Sequence, residues 1–269
     1  MKKIIFICIS LTVFTTSAQN EKINFPKVEE YPTEIPTKEN TWVFIMTGQS
    51  NMTGRGFVEP QDTISNPRVL SINKDNKLIL AKEPLAFYSS LIGLDCGLSF
   101  GKELLNHIDE SIKVLILPTA VGGSSTNQWI NDDEHRGIKL MSNFKEKIEL
   151  AQKYGTLKGV LWHQGESDAH DELIPFYKEN ITVIFRKFRN ISGSVNLPIY
   201  IAQLGSFFPE QEKWNKINEQ IEQVSEQDEN IYLIKTDDFV HKGDSLHFNS
   251  ASQRLMGIRF AKTVSKTME

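Results

Sequence analysis

The sequence is poor in cysteine, with two in 269 residues, Cys8 and Cys96. A disulfide framework is therefore excluded as the main source of stability. It has no block of basic residues, and its formal net charge is −4, so nucleic-acid binding is disfavoured. Past the first twenty residues no apolar run is long enough to cross a bilayer, which takes about 20 residues of helix. No two histidines stand four apart, so the helical His-x-x-x-His zinc pattern is missing too.

The sequence does carry a leader. "MKKIIFICISLTVFTTSAQN" begins with Lys2 and Lys3, continues through a short apolar run and reaches the small-residue site "TSA". These are the marks of a signal peptide over residues 1–18, cleaved near Ala18, and of a protein exported to the periplasm or the medium. Stable membrane insertion after cleavage is not expected. The remaining chain holds 28 basic against 34 acidic residues, a net of −6. Cys96 is then left without a partner and reads as a small buried apolar residue. Residues 19–40, with "FPKVEEYPTEIPTKEN", read as an extended lead-in. Residues 41–269 are long enough for one large domain held by its core.

Five apolar runs rich in β-branched residues recur: "WVFIM" (42–46), "KVLILP" (113–118), "KGVLWH" (158–163), "PIYIAQL" (198–204) and "NIYLIK" (230–235). Being apolar on both faces, they suit buried parallel strands. Amphipathic patterns separate them: "LSFGKELLNHI", "GIKLMSNFKEKIELAQKY", "IPFYKENITVIFRKFRN" and "EKWNKINEQIEQVSEQ". "SASQRLMGIRFAKTVSK" closes the chain. The alternation predicts an α/β fold, a three-layer α/β/α sandwich around a central parallel sheet of about five strands. "RVLSINKDNKLIL" is expected to add a short hairpin.

The polar motifs follow the strands. "TGQSNMTG" follows the first, "TAVGGSSTNQW" the second, "QGESD" the third, and "DSLHFN" lies beyond the fifth. Loops at the carboxyl ends of parallel strands gather on one edge of the sheet, so these distant segments are expected to form one cleft. A serine hydroxyl is a weak nucleophile without a base. Ser50 is the candidate nucleophile, His247 the base, and Asp244, three residues earlier, the carboxylate that orients it. By itself "DSLHF" also fits a helix cap beside an incidental histidine. The oxyanion donors expected are the Ser50 N–H, the Gln164 side-chain amide and the N–H of Gly97. For Gly97, a plain helix-start glycine is the competing reading. Gly48 is expected to permit the bend before Ser50.

Taken together, "GQSNM", "GGSS…W", "WHQGESD" and the late "DSLH" resemble the SGNH-hydrolase superfamily, most closely the sialate O-acetylesterase and acetylxylan esterase type of carbohydrate esterase. The resemblance implies a flavodoxin-like domain that removes acetyl groups from sugar hydroxyls with no metal or other cofactor. By position, Ser50 matches the nucleophile, and Asp244 and His247 the D-x-x-H pair. Gln164 stands where many relatives carry Asn. Where that branch often shows Gly-Pro-Gly, this chain reads Asp95, Cys96, Gly97.

Gln49, Asn51, Trp129 and Glu166 are assigned to contact with an acetylated carbohydrate. Trp129 reads equally as a sugar-stacking platform or a core aromatic. Glu166 and Asp168 also read as braces of the Gln164 loop. His163, Glu166, Asp168 and His170 lie close in sequence, but a strand end does not turn all four to one side, and no metal site is expected. His107, His135 and His241 read as surface residues. Two other functions stay open. One is a lipid or thioester hydrolase with the same triad, which the polar stretch after Ser50 disfavours. The other is a glycan-binding domain without catalysis, which the intact Ser, His and Asp set disfavours.

Overall fold

A computed structural model describes residues 28–268. The expected signal peptide and the start of the expected lead-in lie outside the described residues. In chain order the elements are β1 (Thr41–Gly48), β2 (Val69–Ile72), β3 (Leu78–Leu80), α1 (Gly97–Leu104), β4 (Lys113–Pro118), α2 (Thr126–Asn131), β5 (Glu134–His135), β6 (Ile138–Lys139), α3 (Leu140–Tyr154), β7 (Thr156–His163), α4 (Tyr177–Ser192), β8 (Ile199–Ala202), α5 (Gln211–Gln227), β9 (Ile231–Ile234) and α6 (Ser250–Thr267).

The main sheet has seven strands in the order β3-β2-β4-β1-β7-β8-β9. The five expected strands pair in parallel. The expected hairpin adds two more at one edge, β2 parallel to β4 and β3 antiparallel to β2. Strand side chains alternate between faces, and β1 shows it. Val43 and Ile45 enter the core under α2 to α5, with Trp129, Phe144 and Phe188. Phe44 and Met46 enter the core under α1 and α6, with Phe100, Met256 and Phe260. The parallel strands thus run in the order second, first, third, fourth, fifth, the flavodoxin-like order, with β1 and β7 flanking the point where the winding reverses.

Two local expectations change. The third helix starts at Leu140, not Gly137, because Ile138–Lys139 pairs with Glu134–His135 in a small separate hairpin. Arg136 and Gly137 turn it with φ +53° and +80°. Between β4 and that hairpin the chain forms the short helix α2, capped by Ser125, whose hydroxyl accepts the Gln128 N–H. The described part of the lead-in forms no helix or strand, and its Glu30 carbonyl accepts the Leu80 N–H at 2.7 Å. Among the described residues no helix is long and apolar enough to cross a membrane.

Candidate active site

β1 delivers Ser50. Gly48 has φ +127°, and a Cβ there would stand 2.0 Å from the His163 carbonyl oxygen. Only glycine lets β1 leave the sheet this close to the end of β7. The turn is then closed by Met52 and Thr53 N–H groups donating to the Gln49 carbonyl, each at 3.0 Å. Ser50 is 6 % exposed.

From the loop before α6, His247 Nε2 lies 3.1 Å from Ser50 Oγ. His247 Nδ1 is 2.7 Å from Asp244 Oδ2. Asp244 Oδ1 accepts the N–H groups of His247 at 2.8 Å and Leu246 at 3.0 Å. The carboxylate is thereby fixed on the imidazole's far nitrogen, the geometry that leaves Nε2 free to face the hydroxyl. His241 organises the same loop, its Nδ1 accepting the Gly243 and Ser245 N–H groups at 3.0 Å each.

Burial lowers the His247 pKa below the ordinary imidazole range, against the pull of the Asp244 carboxylate. At Asp244 burial pushes upward, but hydrogen bonds from the His247 N–H and imidazole and from the Leu246 N–H outweigh it and leave the carboxyl at about 2. The site is therefore set with a charged Asp244 and a neutral His247 at neutral pH.

Several residues expected in the cleft lie beneath it. Gln164 is fully buried, and its amide donates to the Ser124 carbonyl at 3.2 Å and to Asp168 Oδ2. With both N–H groups spent, it has none for an oxyanion. The Gly97 N–H is likewise committed, to Asp95 Oδ1 at 2.7 Å. Trp129 is 0 % exposed, packs edge-on to Trp162 and Phe188, and donates its Nε1–H to Ser124 Oγ at 3.0 Å. It is a core aromatic.

Gln49, Asn51 and Glu166 are braces too. Gln49 Oε1 accepts the Gly165 and Ser167 N–H groups at 3.4 and 3.2 Å. Asn51 donates to Glu166 Oε1 at 2.6 Å and accepts the Phe248 N–H at 3.0 Å. Three motifs are thereby locked together, with Glu166 and Asn51 buried. Asp168 accepts the Thr126 N–H at 3.0 Å and holds the start of α2. Cys96 is buried as expected, against Met46 and Met52 sulfurs at 3.8 and 3.9 Å.

No role is expected from sequence for Gly122, Arg55 or Arg136, and His135 is placed at the surface. A Cβ on Gly122 would lie 3.6 Å from Ser50 Cβ and 2.4 Å from Arg55 Nη2. His135 is not a free surface residue, because its Nε2 sits 3.1 Å from the Gly122 carbonyl and its Nδ1 3.3 Å from Gln128 Nε2. The signal was present as two arginines beside glycines, "GRG" after Ser50 and "HRG" after α2, but arginine-glycine pairs are common in surface turns.

A three-layer sheet carrying a Ser, His and Asp chain on its carboxyl edge is the architecture of an SGNH-type hydrolase. The family model for "Carbohydrate esterase, sialic acid-specific acetylesterase" matches residues 40–266, and the chain belongs to that family. It is 27% identical over 258 residues to a probable carbohydrate esterase of Arabidopsis thaliana, covering 87% of this chain and 92% of the relative. The crystal structure of an Arabidopsis thaliana protein superposes with a TM-score of 0.74 at 24% identity, covering 85% of this chain and 98% of that one. NanS superposes with a TM-score of 0.67 at 16% identity over 87% and 99% of the two chains. A carbohydrate acetylesterase from Xanthomonas citri superposes with a TM-score of 0.64 at 18% identity, covering 86% of this chain and 57% of its own. At these identities the structural likeness establishes the fold.

Proposed function

We propose that this protein is an exported serine esterase that removes O-acetyl groups from carbohydrates. The observation that carries the reading is the hydrogen-bonded chain from Asp244 through His247 to Ser50, at 2.7 and 3.1 Å, in a member of a carbohydrate esterase family. Ser50 Oγ attacks the acetyl carbonyl carbon while His247 Nε2 takes its proton. Collapse of the tetrahedral intermediate breaks the bond to the sugar oxygen, which receives that proton. Water, deprotonated by His247, then releases acetate from Ser50.

The developing oxyanion needs donors that the ground state leaves free. The Ser50 and Gly122 N–H groups have no partner among the described residues, and Gly122 lies against Ser50. They replace Gln164 and Gly97 in this role. Gln164 acts from below, fixing the Ser124 end of the Gly122 loop.

The test is hydrolysis of a panel of acetylated sialic acid, xylan and pectin fragments alongside 4-nitrophenyl esters of increasing acyl length. Acetyl esters of sugars should be cleaved best, and Ser50→Ala should lose several orders of magnitude in kcat while keeping the wild-type fold by circular dichroism. Preference for long acyl chains would favour a lipid hydrolase. Near-wild-type activity of Ser50→Ala would remove the serine mechanism.

A further inference from the structure

The turn that carries Asp244 and His247 depends on a third side chain. It opens as an antiparallel ribbon, in which the Val240 carbonyl accepts the Asn249 N–H and the His247 carbonyl accepts the Lys242 N–H, each at 2.9 Å. Beyond those bonds the chain passes through two left-handed positions, Gly243 at φ +115° and Ser245 at φ +55°. Glycine takes such a conformation freely, whereas serine does so at a cost. Asp244 lies between them at the tip, with 36 % of its side chain exposed. Packing alone does not fix the direction of so exposed a carboxylate, so hydrogen bonds to the turn must do it.

Two side chains divide the N–H groups of that tip. Asp244 Oδ1 accepts those of Leu246 and His247. His241 Nδ1 accepts those of Gly243 and Ser245, each at 3.0 Å, one on either side of Asp244. A backbone N–H can only donate, so Nδ1 is the acceptor and the ring carries its proton on Nε2. The ring is itself kept in place. His241 pairs across the ribbon with Phe248, and directly opposed residues share a face. Phe207, from the loop after β8, lies against both, with ring centroids 5.2 Å from His241 and 5.8 Å from Phe248. His247, one position along, turns to the other face and to Ser50. His241 therefore stands behind the turn and acts on the reaction only through it.

We infer that His241 is a positioning residue for the Asp244 and His247 pair: its Nδ1 lone pair fixes the turn from Gly243 to Ser245 and so sets the direction of the Asp244 carboxylate. The inference rests on the serine esterase reading. Asp244 serves the reaction only while its Oδ2 faces His247 Nδ1, at 2.7 Å. A displacement of about 1 Å in a catalytic group can cost roughly a hundredfold in rate, even when its cause lies away from the chemistry. His241 is such a remote cause, since it touches neither Ser50 nor the face of the turn that meets it.

The experiment compares His241→Asn and His241→Gln with the wild type on 4-nitrophenyl acetate, reading kcat, KM and the acidic limb of kcat/KM. Asparagine places its Oδ1 where histidine carries Nδ1. Glutamine carries its amide further out, near the place of Nε2, and leaves the turn without that acceptor. His241→Gln should lose roughly tenfold to a hundredfold in kcat with KM little changed, and its acidic limb should move to lower pH. Burial lowers the His247 pKa and Asp244 opposes it, so a carboxylate that turns away lets that pKa fall further. Glu166 and Arg55 also act on His247, but they belong to other segments and stay in place. His241→Asn should restore both rate and limb. The position of the limb does not depend on the amount of folded enzyme, so partial unfolding cannot imitate the shift. A His241→Gln profile of wild-type height and position overturns the inference, as does a His241→Asn variant no better than His241→Gln. Ser50→Ala is assayed alongside. If it is inactive while His241→Gln is unchanged, the esterase reading stands and the positioning role fails. If Ser50→Ala keeps near-wild-type activity, both fail.

Discussion

At the scale of single residues, reactivity depends on the charge state of one imidazole. His247 must be neutral to accept the Ser50 proton, so kcat/KM should fall as pH drops through its pKa. Burial places that pKa below the usual value near 6.5, and the acidic limb should appear there. Asp244 stabilises the charged ring, so Asp244→Asn should move the limb still lower and reduce the rate by about three to four orders of magnitude, since orientation is lost as well. Paired pH–rate profiles on one acetyl ester measure both effects. Profiles of equal height and position would leave Ser50 and His247 acting as a dyad.

At the scale of elements, buried carboxylates place the helices that frame the site. Asp168 receives the first N–H of α2. At α1, Asp95 accepts the Gly97 N–H at 2.7 Å and Glu83 accepts the Leu98 N–H at 3.1 Å. A helix N-terminus favours negative charge, but both groups are deeply buried side by side. Burial, with the neighbouring carboxylate, pushes Glu83 well up, and burial pushes Asp95 up to about 6. An unfolded chain releases the Asp95 proton near 3.8. Between these values the folded state holds a proton that the unfolded state has lost. The Asp95 contribution to stability is therefore complete below about 3.8 and is lost as pH rises through about 6. Asp95→Asn keeps an oxygen acceptor for Gly97 and should flatten that decline. Denaturant midpoints measured across this range for both proteins provide the check, and parallel slopes would count against the assignment.

At the scale of the molecule, the winding order brings four loops to the same edge, from β1, β4, β7 and the segment before α6. Within "HQGESDAH", His163 Nδ1 lies 3.7 Å from Glu166 Oε1. His163 is buried against Phe248, Asp168 turns to α2, and His170 is exposed. Among the described residues no three His, Cys, Asp or Glu side chains are grouped to hold a metal. A serine and imidazole mechanism needs no Lewis acid, so EDTA should leave acetyl ester hydrolysis unchanged. Inhibition reversed by a divalent ion would show that a metal takes part.

The linear sequence determined the five buried strands, the parallel sheet and the positions of Ser50, Asp244 and His247. Each is written in a local signal: apolar runs, amphipathic repeats, and polar motifs placed directly after strands. It also determined that Cys96 would be an apolar core residue. What only the tertiary structure decided was the direction of the side chains around that centre. Gln49, Asn51 and Gln164 are polar and adjacent to the motifs, so from sequence they read as groups facing substrate or the oxyanion, and Glu166 as either a substrate contact or a brace. Folding turns them inward, because the close approach of β1 and β7 leaves buried N–H, carbonyl and carboxylate groups that need partners. Trp129 was drawn down by the Trp162 and Phe188 faces. Arg55 and Arg136 are 81 positions apart in sequence, and no periodicity links them. Their convergence at Gly122 and Gly123 depends on a two-stranded hairpin whose His135 contacts the Gly122 carbonyl, a contact that only the folded chain can make.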